Sequence, residues 1–254
     1  MKKIFTPLVI AGLLFSAPLM VNADTLNAAV AANFTKTIEE IGAGFKAKTG
    51  HEVKFSFGPT GKLYAQIKNG APFDLFFAAD DEKPKRLVEE GLAQSDSYFI
   101  YARGVLALYS PTLPVKSDYK TVLEKAEFNH LSIANPKTAP YGVAAEEVMN
   151  KLGVLETVRP KIVNGESIAH AFQYVQTGNA QLGFVAYSQL VDPQSPAFQK
   201  GEYWLPAQDM YTPIDQAAVI LKKAENNPVA QQFMDYLRSD EGRKVIERYG
   251  YSIP

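Results

Sequence analysis

Cysteine is absent from all 254 residues. That excludes a disulfide framework, a cysteine nucleophile and a thiol able to carry a lipid. Histidine is scarce: His51, His130 and His170 lie far apart, none at metal-ligand spacing with another, so each is expected to be structural or exposed. Neither a His-Glu-x-x-His run nor a Gly-x-Ser-x-Gly elbow occurs. Gly61-Lys62 is no more than a fragment of a P-loop, because Ser56 stands where its first glycine belongs and Leu63 where a hydroxyl must bind Mg²⁺. A basic excess is lacking as well: 26 Lys and Arg face 27 Asp and Glu, a net charge of −1, which offers no field for nucleic acid or a membrane surface. Internal repeats and low-complexity tracts are missing too.

The strongly apolar run Ile4–Met20 follows Lys2-Lys3 and leads into Val21-Asn22-Ala23, a small-x-small signature ahead of Asp24. A secretory signal, residues 1–23, cleaved after Ala23 is expected; Pro7 and Pro18 interrupt a segment already short for a membrane span. Beyond it no stretch is apolar enough to cross a bilayer. The 231 residues after the signal carry 24 basic and 27 acidic side chains, and they suffice for one large domain or two lobes. With 46% hydrophobic residues and scattered Gly and Pro, a globular, exported, soluble protein is expected. Its 13 Tyr and 15 Phe fall mostly at core spacing.

Two consecutive stretches organise the chain. Leu26–Val30 suits a buried strand; Phe34, Ile38, Ile41 and Phe45 then recur at helical spacing until Thr49-Gly50. Between them Ala31-Ala32-Asn33 carries no charge. A strand that hands over to a helix there points unpaired N–H groups and the positive end of the helix dipole into the space above, which is an anion site in outline. The arrangement repeats: Val53, Phe55 and Phe57 alternate as a strand, Gly58-Pro59-Thr60-Gly61 turns, and Leu63, Tyr64 and Ile67 follow a helical period. Asn33 and Thr60 read singly as helix caps; two in successive units favour a shared site.

A third unit follows, with Leu75–Ala78 as a central strand and Asp80-Asp81-Glu82 opening a helix that ends near Gly91; acids there suit the helix dipole better than a metal. Tyr98–Tyr109 reads as one strand leaving a first lobe for a second. In that second lobe Leu131–Ala134, Lys161–Asn164 and Leu182–Tyr187 are strands. Pro140 sits in the first turn of a helix through Leu152, and Ile168, Ala171, Phe172 and Val175 form another. Gln216–Leu221 returns as a strand to the first lobe, which two C-terminal helices complete. The fold class is α/β, in two lobes.

Ala-Ala-Asn-Phe at 31–34, Thr-Gly-His at 49–51, Gly-Pro-Thr-Gly-Lys-Leu-Tyr-Ala-Gln-Ile at 58–67 and Asn-Gly-Ala-Pro-Phe-Asp-Leu-Phe-Phe-Ala-Ala-Asp at 69–80 form an ordered series. It continues in Asn-Pro-Lys-Thr-Ala-Pro-Tyr-Gly at 135–142, Gly-Glu-Ser-Ile at 165–168, Leu-Gly-Phe-Val-Ala at 182–186 and the final Gly-Tyr-Ser-Ile-Pro. In this order the motifs resemble the ModA family, the periplasmic molybdate-binding proteins of ABC importers, over essentially all of Asp24–Pro254. The resemblance implies a type II periplasmic-binding-protein fold, each lobe a mixed sheet flanked by helices, with two crossover strands as hinge. Residues 24–102 and 216–254 would form lobe I, and 103–215 lobe II.

It also implies a tetrahedral oxyanion held by uncharged donors. Ala32 and Asn33 would supply backbone and amide donors, Thr60 its hydroxyl and N–H, Tyr141 and Ile168 their backbone N–H groups. No catalytic residue, cofactor or direct protein–metal ligand is implied, the molybdenum being held as its oxyanion. The implied partners are molybdate or tungstate and an inner-membrane ABC permease, met by a periplasmic monomer that binds no nucleic acid. Two departures stand out: Asn33 replaces the first-turn hydroxyl of many members, and Tyr187 is offset by one residue from the tyrosine some members place after Gly-Phe-Val, which turns it to the other face of the strand. Rival readings are the same scaffold tuned to sulfate or another oxyanion, an exported hydrolase using the interlobe cleft, and a sensor partner without a transport role.

Overall fold

The computed structural model describes residues 24–254; the expected signal peptide and its cleavage site lie outside the described residues. In chain order the elements of the first lobe are β1 (Thr25–Ala31), α1 (Thr35–Thr49), β2 (Glu52–Gly58), α2 (Thr60–Lys68), β3 (Leu75–Phe77), α3 (Glu82–Glu89) and β4 (Phe99–Gly104). The second lobe adds β5 (Leu106–Ser110), α4 (Val115–Lys125), β6 (Leu131–Ala134), α5 (Pro140–Lys151), α6 (Leu155–Val158), β7 (Ile162–Gly165), α7 (Ile168–Gln176), β8 (Leu182–Ala186), α8 (Ser188–Val191) and β9 (Glu202–Trp204). The chain then returns through β10 (Ile214–Ile220) to α9 (Pro228–Arg238) and α10 (Asp240–Arg248).

Two five-stranded sheets result, in the orders β2-β1-β3-β10-β4 and β7-β6-β8-β5-β9. Both are mixed. In the first, β1 runs parallel to β2 and β3 while β10 is antiparallel to β3 and β4. In the second, β6 is parallel to β7 and β8 while β5 is antiparallel to β8 and β9. Helices cover both faces of each sheet, so the central strands are apolar throughout. Leu75 and Phe77 pack with Phe34, Ile38 and Phe233 on one face of the first sheet, and Phe76 between them packs with Leu63, Ile67 and Val219 on the other.

Tyr98–Tyr109 is two strands and not one. β4 pairs with β10 in the first sheet, β5 pairs with β8 in the second, and the chain changes sheets at Val105. An unbroken apolar run cannot reveal this, because both halves are equally buried; the break depends on which strand each half meets. β4 extends through Gly104 and β10 begins at Ile214. Both therefore run past the lobe bounds drawn at 102/103 and 215/216, since strand ends here carry no change of composition.

Candidate functional site

Four strand-to-helix turns converge between the lobes. Ala31-Ala32-Asn33 and Gly58-Pro59-Thr60 come from lobe I, Ala139-Pro140-Tyr141 and Ser167-Ile168 from lobe II, and with Ala79 they line a cavity of about 10 Å³, on the order of a single water centre. All five residues singled out from the sequence border it. No carboxylate, amine, guanidinium or imidazole belongs to its lining. Ala32–Phe34 forms a 3-10 turn ahead of α1, and no side chain caps that turn, α1, α2 or α5. The first N–H groups of a helix have no intrahelical acceptor. Among the described residues, no backbone carbonyl takes the N–H of Asn33, Thr60, Tyr141 or Ile168. Each helix start carries roughly half a positive charge, so four together offset about two negative charges without a cation.

The side chains behave individually. Thr60 does not cap its helix: its Oγ1 accepts from Ala79 N–H at 2.9 Å, which fixes the hydroxyl and leaves its proton to donate. Asn33 departs from expectation. Its Nδ2 donates to Gln216 Oε1 at 2.8 Å and to Tyr251 Oη at 3.1 Å, so both amide hydrogens point away from the cavity and only the N–H of this residue can face a ligand. Its carbonyl accepts from Tyr251 Oη at 2.7 Å and Ser188 Oγ at 3.1 Å. Ser167 Oγ accepts from His170 N–H at 3.3 Å, leaving the Ile168 N–H unclaimed, while the Ile168 side chain is buried in the lobe II core. Tyr141 presents its N–H at the start of α5 and buries its ring completely; burial pushes its hydroxyl well above the ordinary phenol pKa. Tyr187 lies against Tyr203 at a tilt of 52°, with ring centroids 5.4 Å apart, and abuts Gly250; it is no part of the lining.

The lobes touch around the cavity. Gly61 N–H donates to Thr138 C=O at 2.9 Å, Lys62 pairs with Glu166, and Ser188 reaches Asn33. Two wider grooves adjoin it. One of about 280 Å³ shares Ala79, Ala139 and Pro140 but also carries Asp80, Asp81, Glu82, Glu147 and Asp215 against only Lys83 and Lys137, an acidic excess that disfavours an anion. Burial pushes the Asp80 carboxyl pKa up, opposed by the Lys83 N–H that it accepts at 2.8 Å and by the Lys83 charge. The other, of about 220 Å³, lies against Phe172, Asp192 and Tyr249. His51, His130 and His170 do not line the small cavity, and among the described residues no group of three His, Asp or Glu could hold a metal ion.

Residues that sequence reasoning missed are Ala79, Gln216, Tyr101, Tyr251 and Ser188. Gln216 offered one signal: it is an amide in an otherwise apolar strand, and it is fully buried. Ala79 and Tyr251 fall inside the 69–80 and closing motifs, which mark a segment but no role, and Tyr101 and Ser188 carry no signal at all.

A two-lobed α/β architecture with a cavity where the lobes meet defines a solute-binding protein. The chain belongs to the bacterial extracellular solute-binding protein family, which matches residues 26–252. It is 49% identical over 243 residues to the molybdate-binding protein ModA of Azotobacter vinelandii, covering 96% of this chain and 94% of the relative. It is 48% identical over 229 residues to ModA of Rhodobacter capsulatus, covering 90% and 88%. Among solved structures, an Azotobacter vinelandii periplasmic molybdate-binding protein superposes with a TM-score of 0.85 at 37% identity, covering 90% of this chain and 99% of that one. These relatives are binding proteins and not enzymes, so the hydrolase reading falls away.

Proposed function

We propose that the protein captures molybdate, and also tungstate, between its lobes in the periplasm and delivers it to an ABC permease in the inner membrane. The relatives' names and the extracellular family support the ligand class and the location. The observation that carries the reading is the chemistry of the small cavity: donors from four turns and no ionisable group but a buried phenol. Molybdate is a full dianion at neutral pH and needs donors alone. Protonated phosphate also needs an acceptor, and a site without a carboxylate leaves its O–H unpaired at a cost. Ala32, Asn33, Thr60, Tyr141 and Ile168 are the proposed ligand residues, each through its N–H and Thr60 also through its hydroxyl. No cofactor or protein–metal bond is required, and the protein acts as a monomer after cleavage behind Ala23. We assign residues 24 to about 105 and about 213 to 254 to lobe I and the intervening stretch to lobe II.

Calorimetric titration of the purified protein with molybdate, tungstate, sulfate and phosphate tests this. Tight binding of the first two with weak or silent sulfate and phosphate is expected. Preference for sulfate would keep the scaffold and replace the ligand.

A further inference from the structure

A buried polar chain behind the cavity joins its two halves through the hinge. Asn33, in the lobe I turn, donates through Nδ2 to Gln216 Oε1. Gln216 lies on β10, one of the two strands that pass between the lobes, and has no exposed surface. The register of β10 against β4 slips between Gln216 and Ala217, a bulge of the kind that re-aims the adjacent side chain. Because Asn33 Nδ2 donates to it, the Gln216 amide oxygen faces Asn33 and Tyr101, whose Oη also lies 3.0 Å from Ala78 C=O, and its nitrogen points the other way.

That nitrogen and Tyr141 Oη approach each other closely enough to interact but without completing a well-formed hydrogen bond, and neither has another partner among the described residues. The two are neighbours: a Cβ at Gly104 would collide with both, so the missing side chain of Gly104 is what gives them room. Tyr141 therefore faces two ways. Its N–H opens the lobe II helix α5 at the cavity, and its phenol reaches back into the hinge. Two buried groups of complementary kind, side by side but poorly paired, leave part of their desolvation uncompensated.

We propose that Gln216 is a positioning residue for the anion site. Its Nε2 donates to Tyr141 Oη when the anion is held, completing a chain from the Asn33 turn through Gln216 to the Tyr141 turn. An anion that draws the α5 N-terminus toward lobe I carries the phenol with it, so capture and hinge geometry become one event. The proposal rests on the reading that these two turns hold molybdate.

The test is molybdate titration of wild type, Gln216→Leu, Tyr141→Phe and the double variant, with melting of each in the absence of ligand. Each single variant is expected to bind about tenfold or more weakly, and the double variant no worse than the weaker single one, since both remove the same bond. Tyr141→Phe deletes only a poorly paired hydroxyl, so without ligand it should melt close to the wild-type temperature. Losses that multiply in the double variant, or single variants that bind like wild type, overturn the coupling. So does a Tyr141→Phe variant that melts early yet keeps full affinity, because its role would then be structural. Failure of the wild type itself to bind molybdate would instead remove the proposed ligand, and the coupling with it.

Discussion

In the proposed site, Thr60 is the neutral side chain whose hydroxyl would serve the anion. Its oxygen is engaged by the Ala79 N–H, so the hydroxyl cannot rotate freely and its proton is directed away from that bond. Thr60→Val keeps the shape and removes both roles. A hydrogen bond to a charged group contributes roughly 1.5–3 kcal/mol, so molybdate affinity should fall by about 10- to 150-fold. The stranded Ala79 N–H should lower the stability of the unliganded protein by about 1–3 kcal/mol. Thr60→Ser retains the hydroxyl and should keep most of both. Titration and melting of the two variants check this; an unchanged affinity in Thr60→Val would remove the second turn from the site.

Among elements, the start of α2 is one of the places where the lobes touch. A Cβ at Gly61 would lie 3.2 Å from both Cα and O of Thr138, and this is backbone, which cannot swing aside as a side chain can. Gly61→Ala should therefore oppose closure while helping α2, because alanine is favoured over glycine in a helix by up to about 1 kcal/mol. The expected signature is an unliganded melting temperature that is equal or higher together with several-fold weaker molybdate binding, read by calorimetry and thermal melting. A fall in both would mean that Gly61 serves the fold and not closure. The helices and strands that build these turns were legible because their apolar residues repeat at 3.6 or lie in unbroken runs. The turns at Asn33 and Thr60 were legible because a strand yields to a helix there, whereas Tyr141 and Ile168 were picked out only by the family resemblance. The direction of the Asn33 amide was not legible. Its partners Gln216 and Tyr251 lie 183 and 218 positions away, and no local pattern connects them. The sheet change at Val105 was hidden for the same reason: pairing partners are set by the whole topology.

For the molecule as a whole, burying a dianion with donors alone makes binding insensitive to pH where side chains ordinarily titrate. No histidine lines the cavity, and the phenols behind it are held protonated: burial raises Tyr141 and Tyr101 well above their ordinary value and Tyr251 to about 12. Molybdate affinity should therefore vary by less than about twofold between about pH 6 and about pH 9. Folding stability responds differently on the acid side. The half-buried Asp80 carboxyl has its pKa raised by desolvation, so the folded state holds that proton more tightly than the unfolded chain. By linkage, stability from this group falls as pH rises from near the ordinary carboxylate value through the raised one, and its burial cost is fully present at neutral pH. Asp80→Asn keeps an oxygen for the Lys83 N–H and removes the charge. It should raise the melting temperature at pH 7, with the gain shrinking as pH falls through that window, and it should leave the pH profile of molybdate binding flat. Melting curves at several pH values, paired with titrations at the same values, read both effects; a gain that grew toward acid pH would show that Asp80 stabilises the fold as the anion.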